Sequence, residues 1–281
     1  MNAIEIKGLC KSYAGFTLGN IDLTLPQGAI MGLVGENGAG KSTTLKLIMN
    51  AISRDSGSVS VLGVDNQSPD FKQLKQEIGV VLDEAYFPEV LTARDVGRVM
   101  AGTYANWDGK YYAECLSRFS LPEKKIFKDF SRGMKMKLAI AVALSHSPRL
   151  LILDEATSGL DPIMRDEMLD IFNDFTRDET HSILLSSHIV SDLEKICDYV
   201  AFIHRGRLLL CEEKDRLLEE YGVVRLGRGE YQALPEDAVI GRRETPYGVE
   251  ALVRRSGVAS AFKPELTTLE DIVLFMAKGE R

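Results

Sequence analysis

Eight consecutive residues, Gly35-Glu-Asn-Gly-Ala-Gly-Lys-Ser42, carry the most specific chemistry in the chain. They stand directly behind an apolar run at 30–34 and ahead of a helix-like stretch at 43–49, the setting of a phosphate-binding P-loop between strand and helix. Gly35, Gly38 and Gly40 let backbone N–H groups turn towards phosphate oxygens, where a Cβ would block the approach. The helix that follows points its positive end at the same anion. Lys41 supplies a point charge for the β- and γ-phosphates, and the Ser42 hydroxyl is placed to ligate Mg²⁺. Asn37, Ala39 and Thr43 complete the expected nucleotide contacts of the loop.

A second chemical feature follows an apolar run at 150–153. Asp154 and Glu155 place two carboxylates at a strand end, where a P-loop domain keeps its metal and its water. Asp154 is expected to hold Mg²⁺ and Glu155 to polarise the attacking water as general base; the alternative is an acidic pair that caps the next helix.

These groups need a scaffold, and the sequence predicts one. Strands are expected at 3–6, at 16–25 around Gly19-Asn20, at 29–34, at 57–62 and at 77–82. From Asp83 the texture changes. Pro88 and Thr92-Ala-Arg-Asp95 predict a turn and a capped helix, and helical patterns run on to about His146, broken near Gly102, Asp108-Gly109 and Pro122. Residues 84–148 therefore read as a helical subdomain inserted in an α/β domain. Strand character returns at 149–155, at 182–186, and in a pair at 199–203 and 207–210. Parallel strands joined by helices imply a three-layer domain that binds ligands at the carboxyl ends of its strands.

Beyond Lys214 a tail, 215–281, has its own strand-like and helical segments, a small α+β extension to the domain at 1–214. Its last helix is predicted to start with a capping box between Thr267 and Glu270 and to bury Leu269, Ile272, Val273 and Met276. No internal repeat or low-complexity segment is visible.

Composition narrows the setting. With 45% hydrophobic and 27% charged residues the chain reads as an ordinary globular protein, and a formal net charge of −7 argues against general nucleic-acid binding. Cys10, Cys115, Cys197 and Cys211 are scattered without metal-type spacing, which suggests reduced, buried thiols in a cytosolic protein. The N-terminus alternates like a strand instead of a signal peptide, and the longest apolar runs fall short of the ~20 residues that cross a bilayer.

The order of motifs is informative as a set: the P-loop, then Phe130-Ser-Arg-Gly-Met134, then the run ending in Asp154-Glu155, then Ser158-Gly-Leu-Asp161, and finally Ser187-His188. Residues 1 to about 215 thereby resemble the ATPase subunit of ATP-binding cassette (ABC) transporters. The resemblance implies a P-loop ABC-type fold that binds ATP and Mg²⁺. It also implies that Ser131 and Gly133 form the signature that meets the γ-phosphate held by the opposite subunit. Asp161 would link the two sites, His188 would sense the γ-phosphate, and Tyr13 would stack on adenine. For His188 the alternative is a structural histidine, and for Tyr13 an ordinary strand tyrosine.

Since signature and P-loop of one chain serve different ATP sites, the resemblance implies a two-fold homodimer, or a heterodimer with a similar cassette, that sandwiches two nucleotides. The expected partner is a separate integral-membrane permease, with no nucleic acid, which would place the chain in the cytoplasm on the inner face of the membrane. Variants with Met-Lys-Met-Lys after the signature glycine resemble a bacterial exporter-type branch serving peptides, antibiotics or bacteriocins. A soluble cassette ATPase acting on ribosomes or DNA, or a nucleotide-dependent regulatory module, are the rival readings.

Three positions depart from the family pattern, one of them Met134, which stands for the usual signature glutamine and reads with Met136 and Leu138 as a packing residue. Asp83 stands where a glutamine is usual, and either approaches Mg²⁺ or caps a turn away from the site. Arg132 replaces the first signature glycine, and either faces the dimer seam or points to solvent. The segment 84–88 and the aromatics Tyr104, Trp107, Tyr111 and Tyr112 occupy the region that in the family receives the permease, and serve as interface anchors or as core filler.

Overall fold

In the computed structural model, which describes residues 1–83 and 87–278, two continuous apolar runs set the centre of the fold. Ile30–Val34 (β3) and Leu150–Asp154 (β7) are buried at every residue, as strands covered on both faces must be. They belong to a six-stranded sheet with Ile78–Val81 (β6), Ser182–Ser187 (β8), Tyr199–His204 (β9) and Arg207–Glu213 (β10), in the order β10-β9-β3-β8-β7-β6. All pairings are parallel except β10 with β9, a hairpin turned by Arg205-Gly206. The strand ends at Val34, Asp154 and Ser187 thus come together on one edge of the sheet.

Asn2–Tyr13 (β1), Phe16–Pro26 (β2), Ser56–Val61 (β4) and Val64–Asp65 (β5) form a separate antiparallel sheet, ordered β2-β1-β4-β5. Lys41–Ile48 (α1) lies between the two sheets: its Leu45, Leu47 and Ile48 share a cluster with Ile4, Ile6 and Leu23 on one side and Met31, Leu33, Ile152 and Leu184 on the other. The short Phe71–Leu74 (α2) closes this cluster through two buried residues. The sequence expectation recognised three of these strands, but neither the short β5 nor that they form a layer of their own. Period-2 alternation identifies a half-buried strand and says nothing about its neighbour.

The opposite face of the central sheet carries Ala93–Ala101 (α3), Gly109–Arg118 (α4), Arg132–Leu144 (α5), Pro162–Phe175 (α6) and Val190–Ile196 (α7). Thr92 and Asp95 bond reciprocally across the first turn of α3, the capping box expected there. In α5 the run from Met136 to Leu144 is almost wholly buried, so Met134, Met136 and Leu138 serve packing. Tyr104 stacks on His146 at 3.9 Å, Trp107 lies 5.1 Å from Tyr112, and the buried Tyr112 hydroxyl donates to Ala93 O at 2.7 Å. Tyr112 is therefore interior, Tyr104 and Trp107 are partly buried, and Tyr111 is exposed. Of the segment 84–88, Glu84, Ala85 and Tyr86 lie outside the described residues, whereas Phe87 packs edge-on against Phe127 at 5.5 Å.

The tail comprises Lys214–Glu220 (α8), Tyr221–Leu226 (β11), Arg228–Tyr231 (α9), Val239–Thr245 (β12), Gly248–Arg254 (β13) and Leu269–Lys278 (α10), with an antiparallel sheet ordered β11-β13-β12. Leu269, Ile272 and Phe275 of α10 enter the same core cluster as Leu193, Ile196 and Cys197, and Val273 and Met276 pack against it. The cap of α10 corrects the sequence expectation by one residue: Asp271 N–H donates to Thr268 Oγ1 at 3.1 Å and Thr268 Oγ1 donates to Asp271 Oδ2 at 3.0 Å. Thr267 is instead nearly buried, and Thr-Thr in tandem gave two equally good frames for the motif. Burial pushes the thiols of Cys115, Cys197 and Cys211 upward, in keeping with their reading as small apolar groups.

Candidate active site at the P-loop

The loop between β3 and α1 needs its glycines. Gly38 and Gly40 have φ of 80° and 117°, the left-handed range that glycine enters without penalty. A Cβ on Gly40 would lie 2.8 Å from Leu18 Cδ1, and one on Gly35 would run into Ile203 O. Gly40 caps α1 without a side chain and no acid stands in its first turn, so the positive end of the helix stays turned to the loop. Lys41 is the first residue of α1 and is buried, at 6% exposure; its ammonium donates to Gly35 O at 2.7 Å.

Across the loop stand the two carboxylates from the end of β7. Asp154 accepts from the Ser186 hydroxyl at 2.5 Å, inside the sheet edge. Glu155, 9% exposed, puts Oε1 3.2 Å from Lys41 Nζ and Oε2 2.7 Å from His188 Nδ1. Its Oε1 has ion-pair proximity to Lys41 but no hydrogen bond of good geometry, leaving a buried acceptor directed at the loop. Glu155 also has φ 53°, which costs a non-glycine residue about 1–3 kcal/mol. The surroundings impose this conformation: its N–H donates to Ser186 O at 3.1 Å, and Thr157, two residues on, donates to the buried Asp192 carboxylate of α7 at 2.9 Å.

A cleft of about 220 Å³ opens between these groups, lined by Glu36, Asn37, Gly38, Gly40, Lys41, Ser42 and Thr43 in and next to the P-loop and by Phe16, Asp83 and Glu155 around it. Ala39 lies beneath the loop, fully buried. Ser42 is exposed in the first turn of α1. Tyr13, 47% exposed, pairs across the β1–β2 hairpin with Phe16, and of the two rings it is Phe16 that lines the cleft. The Asp83 Oδ1 accepts from Arg132 Nη2 at 2.9 Å, so these two departures from the family pattern meet each other; the turn that Asp83 would cap falls at 84–86, outside the described residues. Ser131 and Asp161 cap α5 and α6, accepting from Met134 N–H at 3.3 Å and Met164 N–H at 3.1 Å. Neither they nor Gly133 line the cleft of their own chain, although Arg132 between Ser131 and Gly133 reaches its wall at Asp83.

Sequence reasoning missed Phe16, Glu36 with its neighbour His204 at 3.4 Å, Ser186, and the Thr157–Asp192 bond. Phe16 had a signal, since it stands just across the Ala14-Gly15 turn from Tyr13. Glu36 stands in the P-loop itself, and its role was simply not assigned; the others follow from strand order, which brings β8, β9 and α7 beside the loop.

The strand, glycine loop and helix, with a buried lysine facing an acidic strand end, define a P-loop nucleoside triphosphatase domain. The family model described as ABC transporter matches residues 18–158. The chain is 37% identical over 215 residues to the lantibiotic transport ATP-binding protein SrtF of Streptococcus pyogenes, covering 75% of this chain and 91% of that one. It is 36% identical over 209 residues to the bacitracin transport ATP-binding protein BcrA of Bacillus licheniformis, covering 73% and 68%. A solved structure of an ATP binding subunit of an ABC transporter superposes with a TM-score of 0.69 at 28% identity, over 76% of this chain and 91% of that one. The chain belongs to the ABC transporter family, as one of its ATP-binding subunits, and is an ATPase.

Proposed function

We propose that this chain hydrolyses ATP as a dimer to drive a separate membrane permease that exports a peptide antibiotic or similar compound. The observation that carries the hydrolytic reading is the Lys41–Glu155–His188 arrangement, in which one buried carboxylate lies 3.2 Å from the P-loop ammonium and 2.7 Å from an imidazole. Glu155 then accepts a proton from the attacking water as the general base, and His188 orients the carboxylate and faces the terminal phosphate. An incoming polyphosphate takes the Lys41 ammonium from Gly35 O, and the loop amides with the α1 N-terminus hold the remaining oxygens. Gly35, Asn37, Gly38, Gly40 and Thr43 serve that cradle, with Tyr13 or its neighbour Phe16 against the base.

The donors around the cleft are oxygens, the Ser42 hydroxyl and the Asp154 carboxylate, with Asp83 on the wall. Hard oxygens from one or two side chains, completed by substrate phosphates, suit Mg²⁺. No group of three or more acidic, histidine or cysteine side chains is gathered for a metal among the described residues, which agrees with a site that needs the nucleotide. When bound, the ion neutralises charge on the β- and γ-phosphates.

Ser131, Gly133 and Asp161 do not line the cleft of their own chain, which supports a reading in which they serve the nucleotide of a second subunit. Among the described residues no helix is long and apolar enough to cross a membrane, so membrane attachment falls to the permease. The names of SrtF and BcrA support a lantibiotic-like or bacitracin-like cargo. We take 1–214 as the ATPase unit, with its helical part at 84–148, and 215–281 as an accessory extension. Purification of the chain from membranes in its native complex tests the assignment. Co-purification with a polytopic permease, and ATPase activity per molecule that rises with concentration, are expected. Recovery with ribosomes or DNA, or activity independent of dilution, would overturn it.

A further inference from the structure

Three carboxylates line a cleft built for a polyanion, and each has a basic side chain beside it. Glu155 faces Lys41 at 3.2 Å, Glu36 faces His204 at 3.4 Å, and Asp83 faces Arg132 at 2.9 Å. The Asp83 pair differs from the others in its source. Its cation comes from the first residue of α5, outside the P-loop layer, and the guanidinium also lies along the turn at Gly159, where a Cβ would stand 3.4 Å from Arg132 Nε. Arg132 thus lies between this turn and Asp83, which lines the cleft wall.

We propose that Arg132 is the counter-ion that makes a carboxylate tolerable beside the triphosphate, so that it positions charge in the cleft without touching the nucleotide. The inference rests on the reading of this cleft as an ATP site. Its logic is additive charge. The wild-type pair sums to zero, Arg132→Ala leaves −1, Asp83→Asn leaves +1, and the double variant returns to zero. Both side chains are about half exposed, so the pair contributes little to folding stability and the variants are expected to fold. Across several ångströms of partly screened solvent, one uncompensated charge changes affinity for a tetra-anion about three- to fivefold.

The test is titration of each variant with ATP and with ADP in EDTA, which removes any role of Asp83 as a metal ligand. Arg132→Ala is expected to bind ATP about three- to fivefold more weakly than wild type, and Asp83→Asn about as much more tightly. The double variant and Arg132→Lys should return to the wild-type value. The spread should be smaller for ADP and shrink in high salt. Equal weakening by both single variants, no rescue in the double variant, or wild-type affinity for Arg132→Ala would overturn the proposal. A wild-type chain that binds no ATP overturns it together with the reading beneath it, a result distinct from a failure confined to the variants.

Discussion

Replacing Glu155 by Gln isolates the step on which the hydrolytic reading depends. The amide matches the carboxylate in shape, so its oxygen can face Lys41 Nζ, now 3.2 Å from Oε1, while its NH₂ donates to His188 Nδ1 across the present 2.7 Å. Geometry is kept and basicity is lost. Removing one partner of a buried ion pair costs about 3–5 kcal/mol at most. Lys41 keeps its bond to Gly35 O at 2.7 Å, which lowers the expected loss to about 2 kcal/mol. In a chain of this length that corresponds to a fall in Tm of roughly 4–8 °C without nucleotide. Binding should be preserved or tightened, because one negative charge leaves the cleft. Turnover should fall by about 10²–10⁴, the usual contribution of a positioned base. Phosphate release under saturating ATP measures the rate, and size exclusion with ATP reveals whether a nucleotide-loaded dimer accumulates. Hydrolysis at the normal rate, or loss of ATP binding by a folded variant, would refute the assignment of Glu155.

Other perturbations probe the scaffold. His146 is buried against Tyr104, with its ring nitrogens 3.3 Å from Val142 O and Ile78 O, and burial lowers its pKa from 6.5. A lowered folded value means that the unfolded chain takes up the proton first, so stability is full above about pH 6.5 and declines as pH falls towards the folded value; thermal melts between pH 7.5 and 5 should fall more steeply for wild type than for His146→Gln. Ile272→Ala removes a fully buried side chain at the seam between α10 and the main core, and should cost about 2–4 kcal/mol in chemical denaturation. A loss under 1 kcal/mol would mean that the tail is not docked there. Thr92→Ala deletes the α3 capping box and should cost about 1 kcal/mol, while Thr92→Ser should restore it in the same melt.

The tertiary structure altered several residue-level expectations for stated reasons. Asp83 and Arg132 were each given two local options, turn cap or metal, seam or solvent. Their bond to each other adds to those options and was not foreseen, because residues 83 and 132 lie 49 positions apart in sequence and only the fold brings them together. Tyr13 carried the aromatic expectation, yet the hairpin pairing sets Phe16 into the wall.

Local pattern alone was enough to specify the P-loop, the acidic strand end, the caps at Thr92 and the buried strands at 30–34 and 150–153. Each depends on backbone conformation or burial periodicity within a few residues, which spacing records directly. Adjacency across the chain was decided only by the fold. The order β3-β8-β7 places Ser186 against Asp154 and His188 against Glu155, residues more than thirty positions apart, and the docking of α7 fixes Thr157. Strand order depends on which apolar faces can be buried together, a property of the whole core that no short window of sequence contains.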